Sequence, residues 1–182
     1  MEKITAEIKT NNGIPESWKD TMEMQAMYSL EEKGYRKKLT WKASTIDPNF
    51  AGAFADEFIK EDELIRFLEK DKNMLLFQSK DDLPPHLTKA SIQYLAGYIG
   101  NTGDLCRLFI PGLSANHHET QANIWLKKIS DHIVHITARR DIHKGEELFH
   151  DYSLNGNPPL WLADFAKEHN VFMNYKGYCD FV

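Results

Sequence analysis

Short apolar segments separated by turn residues occupy the middle of the chain. Residues 39–44 alternate between apolar and polar side chains, residues 52–55 form a short apolar run, and residues 64–68 follow an acidic turn. Residues 123–127 and 132–138 have the same character, and the polar residues between them predict a hairpin. Short strands bounded by turn residues are typical of a meandering β-fold. The pattern therefore predicts a domain that is mostly β with some α.

Helical periodicity is confined to three segments outside these strands. An N-terminal helix that ends near Gly34 is predicted by four apolar residues spaced four apart: Trp18, Met22, Ala26 and Leu30. Residues 84–98 and 157–168 predict two further helices, each introduced by a pair of prolines. Residues 171–181 form an aromatic tail. We expect this tail to pack on the domain, because exposed tails rarely carry so many large apolar side chains.

Composition excludes several classes of function. With 182 residues and 42% hydrophobic content, the chain suits one domain with a single core. A net charge of −5 argues against a broad nucleic-acid-binding face. An acidic surface would favour a Lys/Arg-rich peptide partner, and the ordinary charge of a soluble protein explains the same value equally well. Two cysteines cannot form a cysteine-rich zinc site, and the eight histidines follow no zinc-binding spacing, so no metal is expected. Because no membrane-spanning stretch or signal peptide is evident, we expect a soluble intracellular protein, in the cytoplasm or nucleus, with no membrane partner.

The segment from Ile142 to Tyr152 is the most informative part of the sequence. Its glycine, Gly145, lies in a polar turn where a left-handed backbone is needed, and an apolar strand follows the turn. An Asp-Tyr pair closes the strand, where the phenol of Tyr152 can point into a site. Residues 59–64 repeat the beginning of this pattern, and each copy is predicted to be a turn that starts a strand.

Three segments resemble, in order, the motifs of the SET-domain protein-lysine methyltransferases. Residues 50–65 are similar to the family's G-x-G-V-F-A followed by I-x-K-G-E-x-I. Residues 117–123 resemble N-H-S-C-x-P-N, and residues 145–152 resemble G-E-E-L-x-x-D-Y. The resemblance implies a β-clip-like SET fold with short curved sheets, a helical insert and flanking N- and C-terminal helices. It divides the chain into an N-terminal helical extension (1–38), a SET-like catalytic domain (39–153) and a C-terminal helix with the aromatic tail (154–182).

The motifs depart from the family pattern at specific positions. Phe50 stands at the first glycine of G-x-G, and Asp62 stands at the glycine of the first K-G-E. In the second motif the interval to Asn123 favours His118 as the family's histidine, which places His117 at the usual asparagine. The alternative takes Asn116–His117 as the Asn-His pair and leaves Asn123 one residue further away.

The resemblance implies methyl transfer from S-adenosyl-L-methionine to a lysine side chain of a protein or peptide, histone or non-histone. Tyr152 matches the family's catalytic tyrosine. The cofactor-binding residues implied by the motifs are Gly52, Ala53, Phe54, His117, His118 and Asn123. Aromatic side chains suit a channel for a cationic amine, and those selected for it are Tyr98, Tyr175 and Tyr178.

Two other interpretations remain open at the level of sequence. A SET-like fold that has lost catalysis could bind a protein partner, because the opening glycine motif and the second motif are both altered. Residues 140–146 also resemble the turn of small β-clip domains in sugar-acid and sialate-pathway enzymes, which would need neither Tyr152 nor residues 118–123.

Overall fold

The computed structural model describes residues 31–49, 51–83, 106–109, 115–155 and 159–169. Within these ranges the chain is mostly β, arranged in small sheets with one α-helix, as the sequence predicted. The predicted N-terminal helix, the helical run at 84–98 and the aromatic tail lie outside the described residues, apart from the end of the first. Gly34, where that helix was predicted to end, has a φ of +84°, and its N–H donates to the carbonyl of Glu31 (2.8 Å).

A three-stranded antiparallel sheet forms the centre of the domain. It contains β3 (Leu64–Glu69), β7 (Ile124–Ser130) and β8 (Ile133–Ala138), in the order β3-β8-β7. The hairpin of β7 and β8 confirms the pairing predicted for residues 123–138. Val134, Ile136 and Ala138 alternate along β8 and are buried, so this strand contributes a continuous part of the core.

A second sheet is completed by a segment that lies beyond its two regular strands. Strands β1 (Leu39–Ala43) and β2 (Ala51–Ala55) are antiparallel, with Trp41 opposite Ala53. The other edge of β2 is covered by residues 145–148: the Leu148 N–H donates to the Ala53 carbonyl (2.7 Å), and the Gly145 N–H donates to the Ala55 carbonyl (2.7 Å). Strand β2 is therefore a central strand, which agrees with its run of small apolar residues.

Four shorter strands and one helix pack around these sheets. β4 (Met74–Phe77) pairs with β5 (Cys106–Phe109), and β6 (Asn116–His117) pairs in parallel with β9 (Phe149–His150). Residues Leu160–Glu168 form helix α1, which confirms the last predicted helix, and it buries Leu162 and Ala166 against the domain. A helix of this length is held mainly by such packing rather than by its own hydrogen bonds.

The two similar turns noted in the sequence have the same geometry and pair with each other. The first turn is Ile59–Glu63 and the second turn is Ile142–Glu146. Ile59 and Ile142 are fully buried and exchange both backbone hydrogen bonds, at 2.9 and 2.8 Å. In each turn the residue three positions after the isoleucine has positive φ, +64° at Asp62 and +91° at Gly145. The glutamate that follows accepts the N–H of the residue after the isoleucine, at 2.8 Å in both turns.

Candidate active site

The parallel pairing of β6 with β9 brings the second and third motifs together. Asn116 lies opposite Phe149, and His117 lies opposite His150. The pairing continues for one residue beyond β6, where the His118 N–H donates to the His150 carbonyl (3.1 Å). As a result the side chain of His117 meets the backbone of Tyr152, although the two residues are 35 positions apart.

Asn123 fixes the return of the loop that follows β6. Its side-chain amide donates to the Glu147 carbonyl (2.8 Å), and its side-chain oxygen accepts the Phe149 N–H (2.8 Å). The Asn123 N–H also donates to the Phe149 carbonyl (3.0 Å). Asn123 is 1% exposed, and both the –NH₂ group and the oxygen of its side chain are bonded to backbone. Its side chain therefore joins the two motif segments.

Tyr152 begins a short 3₁₀ helix, Tyr152–Asn155, directly after β9. Its hydroxyl donates to the Ala115 carbonyl (2.8 Å), and its ring lies 5.2 Å from that of His117 and 5.8 Å from that of His150. Burial raises the pKa of Tyr152 to about 12. The phenol is therefore neutral at physiological pH, with its proton directed to Ala115 and its oxygen lone pairs able to accept a contact.

His117 holds a defined tautomer in this arrangement. Its Nδ1 accepts the Tyr152 N–H at 3.0 Å, which requires that Nδ1 carries no proton. The neutral ring must then carry its proton on Nε2. The His150 carbonyl lies 3.3 Å from the same Nδ1 and becomes a hydrogen-bond partner only if Nδ1 is protonated.

Asn116 and Glu147 were not among the residues selected from the sequence, yet they connect all three motifs. The Asn116 amide donates to the Ala51 carbonyl (3.0 Å) and to Glu147 Oε1 (3.1 Å). Glu147 Oε2 accepts the N–H of Thr45 (2.7 Å) and its hydroxyl (2.6 Å). The only sequence signal for Asn116 was the alternative alignment of the Asn-His pair.

The three residues selected on β2 are buried inside the sheet. The Ala53 carbonyl is bonded to Leu148, and the ring of Phe54 has the ammonium of Lys42 4.0 Å from its centroid. A Cβ on Gly52 would overlap the carboxylate of Glu147. The missing side chain of Gly52 therefore makes room for the carboxylate of Glu147. The cofactor contact that the motif implies at Gly52 stays a prediction.

The accessible part of the site is β6 rather than β2. Asn116, His117 and His118 are each half-buried, whereas Gly52, Ala53 and Phe54 are buried. The His118 ring lies 5.4 Å from that of Phe149, and its Nδ1 accepts the Gln121 N–H (3.2 Å). Tyr98, Tyr175 and Tyr178, predicted for the substrate channel, lie outside the described residues.

Other features of the described residues lie apart from this site. Two surface cavities contain none of the selected residues. One, of about 430 Å³, lies between residues 31–36 and β3 with the turn that follows it. The other, of about 470 Å³, lies between β4 with its adjoining residues and the turn that joins β7 to β8. Across the ranges given above, no three His, Cys, Asp or Glu side chains come together as a metal site. Of the helices described, none is long and apolar enough to cross a membrane.

The segments that form this site match a known protein family. The SET domain model matches residues 51–153, which include β2, β6, β9 and Tyr152. The chain belongs to the SET-domain family. This assignment replaces the interpretation of residues 140–146 as part of a sugar-acid β-clip enzyme. No curated protein matches the chain in sequence.

Solved structures resemble this SET domain at low sequence identity. The Chaetomium thermophilum PRC2 complex, in an autoinhibited conformation bound to S-adenosylmethionine, has a TM-score of 0.51 and 22% identity, covering 74% of this chain and 17% of that one. CpSET8 from Cryptosporidium has a TM-score of 0.48 and 18% identity, covering 81% and 69%. The methyltransferase domain of human PR domain-containing protein 2 has a TM-score of 0.41 and 11% identity, covering 82% and 88%. The first of these supports the SET fold.

Proposed function

We propose that this SET domain transfers a methyl group from S-adenosyl-L-methionine to a lysine side chain of a protein. The observation that carries the proposal is the contact of Tyr152 with β6 and the residue before it: its hydroxyl donates to the Ala115 carbonyl and its N–H donates to His117 Nδ1. These two bonds place the tyrosine of the third motif against the Asn-His segment of the second. Membership of the family adds the chemistry, since SET domains use this cofactor.

The residues of β6 and the edge of β2 fit the cofactor better than the buried part of β2. Asn116 and His117 are half-buried, and the Asn116 amide is directed at the Ala51 carbonyl. We therefore assign the Asn-His pair of the family to Asn116–His117, with one additional residue before Asn123. His118 would lie at the rim. Gly52, Ala53, Phe54 and Asn123 would support the cofactor surface from behind.

The bound cofactor would supply a methyl group on a positively charged sulfur. The chain's own task is to present a neutral amine, because a lysine with a pKa of about 10.4 is almost wholly protonated at pH 7 and then has no lone pair. A partly desolvated channel beside a positive charge favours loss of that proton. Orientation of two reactants can contribute roughly 7–11 kcal/mol.

Tyr152 is suited to guide the reacting groups. Its hydroxyl proton is committed to Ala115, so the phenol oxygen can accept weak C–H···O contacts from an activated methyl group. Its raised pKa keeps it neutral, which makes it a positioning and accepting group and not a base at physiological pH. Tyr98, Tyr175 and Tyr178 stay predicted as lining for the lysine channel, and the net charge of −5 suits a basic peptide substrate.

A catalytically degenerate SET domain that binds a protein partner is the second candidate. Two observations favour it: Phe50 replaces the first glycine of the opening motif, and Ala122 replaces the proline of the second motif. The two candidates share a fold and differ in cofactor binding.

Calorimetric titration with S-adenosyl-L-methionine separates them. A methyltransferase should release or absorb heat on binding and gain thermal stability, whereas a degenerate domain should show neither. Transfer of radiolabelled methyl groups to histones and to cell extract then tests activity. Tyr152→Phe is the control, and we expect it to reduce transfer while cofactor binding is largely kept. Equal transfer by Tyr152→Phe and the native protein would contradict the role of the phenol.

A further inference from the structure

We propose that Glu147 is a positioning residue of the cofactor site, acting through Asn116. This inference rests on the proposed function and identifies a buried carboxylate that the lysine chemistry itself does not use. Glu147 is 5% exposed, although it lies in a segment that would otherwise serve only to cover the edge of β2. A buried carboxylate needs a reason, because burying a charge is costly unless several hydrogen bonds satisfy it.

The two carboxylate oxygens join segments that are distant in sequence. Oε2 holds the N–H and the hydroxyl of Thr45, in the connection between β1 and β2. Oε1 holds the Asn116 amide on β6. Since Asn116 also donates to the Ala51 carbonyl, one carboxylate fixes β6 against the first residue of β2 and against the loop that precedes it.

These contacts require a carboxylate at position 147, and a neutral glutamine cannot replace it. All three groups that meet it are donors, so both oxygens must accept. A glutamine at position 147 would present its –NH₂ group either to Thr45 or to Asn116. In the first case it opposes a backbone N–H that cannot turn away, and in the second it opposes the amide that must stay directed at Ala51.

Gly52 offers a second way to displace the same carboxylate. A Cβ at this position would overlap Glu147 Oε1. The carboxylate of the third motif therefore fills the space that a side chain at this glycine of the opening motif would need. Gly52→Ala should therefore displace the carboxylate and reproduce the effect of Glu147→Gln. Two changes in different motifs would then converge on the position of Asn116.

The test measures the affinity for S-adenosyl-L-methionine by calorimetry in the full chain. We expect Glu147→Gln to raise Kd by ~10- to 100-fold, the range for loss of a hydrogen bond to a charged group. Glu146→Gln is the matched control, because the same change one residue earlier affects only the His143 N–H and Arg140 at the surface. Its Kd should stay within about 2-fold of the native value.

A double-mutant cycle distinguishes positioning from general damage to the fold. If Glu147 acts through Asn116, then Asn116→Ala and the double variant should have nearly the same Kd, because the second change removes nothing further. Additive effects, or an unchanged Kd in Glu147→Gln, would overturn the proposal. If Glu147→Gln does not fold, Thr45→Val replaces it in the test, because this variant deletes only one of the three donors. Thr45→Val should raise Kd by ~3-fold. An unchanged Kd in Thr45→Val would also overturn the proposal. Absence of binding by the native protein would reject the proposed function and this inference together.

Discussion

The first and second turns of this SET domain have one geometry and different consequences. Both begin at a buried isoleucine, both have positive φ three residues later, and both are closed by a glutamate that accepts a backbone N–H. The next residue is Leu64 after the first turn and Glu147 after the second. Leu64 begins a strand of the central sheet, whereas Glu147 turns its carboxylate to Thr45 and Asn116. The turn determines where the chain reverses, and the residue after it determines which segments are joined there.

The largest effect is expected when the second turn is given the residue that follows the first. Glu147→Leu leaves three donors without their acceptor in a buried place, which should lower the free energy of unfolding by about 3 kcal/mol or more. It should also abolish binding of S-adenosyl-L-methionine. Leu64→Gln, a polar change at the corresponding position after the first turn, affects a half-buried side chain and should cost about 1 kcal/mol. Urea denaturation of both variants measures the difference, and equal losses would contradict the special role of Glu147.

The segments after the two turns also end at different residues: Glu69 after the first turn and Tyr152 after the second. Tyr152 makes the stability of the domain depend on pH. Burial raises the pKa of Tyr152 from about 10 to about 12. The folded state therefore binds the phenol proton more tightly than the unfolded state. The contribution of the protonated Tyr152 to the free energy of unfolding is complete below pH 10. It is lost as the pH rises from 10 to 12, by up to about 2 to 3 kcal/mol.

Tyr152→Phe isolates this contribution. The difference in unfolding free energy between native protein and variant should be constant below pH 10 and should shrink above it. A phenolate absorbance from Tyr152 that develops near pH 10 would show that the hydroxyl is exposed and would contradict its bond to Ala115.

A smaller effect separates the positive-φ residues of the turns. Gly145 has φ +91° with open space around it, so Gly145→Ala adds backbone strain and no clash, at a cost of about 1 kcal/mol. Asp62 already adopts φ +64°, and Asp62→Gly should be neutral or slightly stabilising. Thermal unfolding of both variants tests this order. A stabilised Gly145→Ala would mean that the second turn does not require a left-handed residue.

The smallest effect concerns the glutamates that close the turns. The Lys37 ammonium and the Lys60 N–H lower the pKa of Glu63, and the His143 N–H and Arg140 lower that of Glu146 against the opposing effect of desolvation. Because both pKa values are below the usual 4.5, the stabilisation is present above pH 4.5 and lost as the pH falls through the folded values. Both side chains are partly exposed, 41% for Glu63 and 30% for Glu146, so Glu63→Gln and Glu146→Gln should change the acid limb of the stability curve only slightly, and by similar amounts.

The sequence predicted the elements whose signals are local. The hairpin of β7 and β8, strand β2, helix α1 and the left-handed Gly145 all follow from residue patterns within a few positions. The order of the motifs also indicated the family. These predictions succeed because each depends on alternation, on turn chemistry or on backbone conformation, which a short segment carries by itself.

The site depended on contacts that no local pattern contains. β6 and β9 have two residues each, too few for any alternation, and their parallel pairing joins segments far apart in the chain. Spacing to Asn123 favoured His118, whereas the contacts to Tyr152 and Ala51 are made by His117 and Asn116. The glycine motif implied a cofactor contact at Gly52, and no local pattern indicates that Glu147, 95 positions later in the sequence, packs against the same glycine.

Cofactor binding by the native protein and by Glu147→Gln, compared with Glu146→Gln, tests the proposed site most directly. Calorimetry with S-adenosyl-L-methionine should show binding by the native protein and by Glu146→Gln with similar Kd, and binding weakened ~10-fold or more in Glu147→Gln. No heat and no thermal stabilisation in the native protein would contradict the methyltransferase proposal. Equal affinities in all three would leave the cofactor in place and contradict the assignment of Glu147 and Asn116.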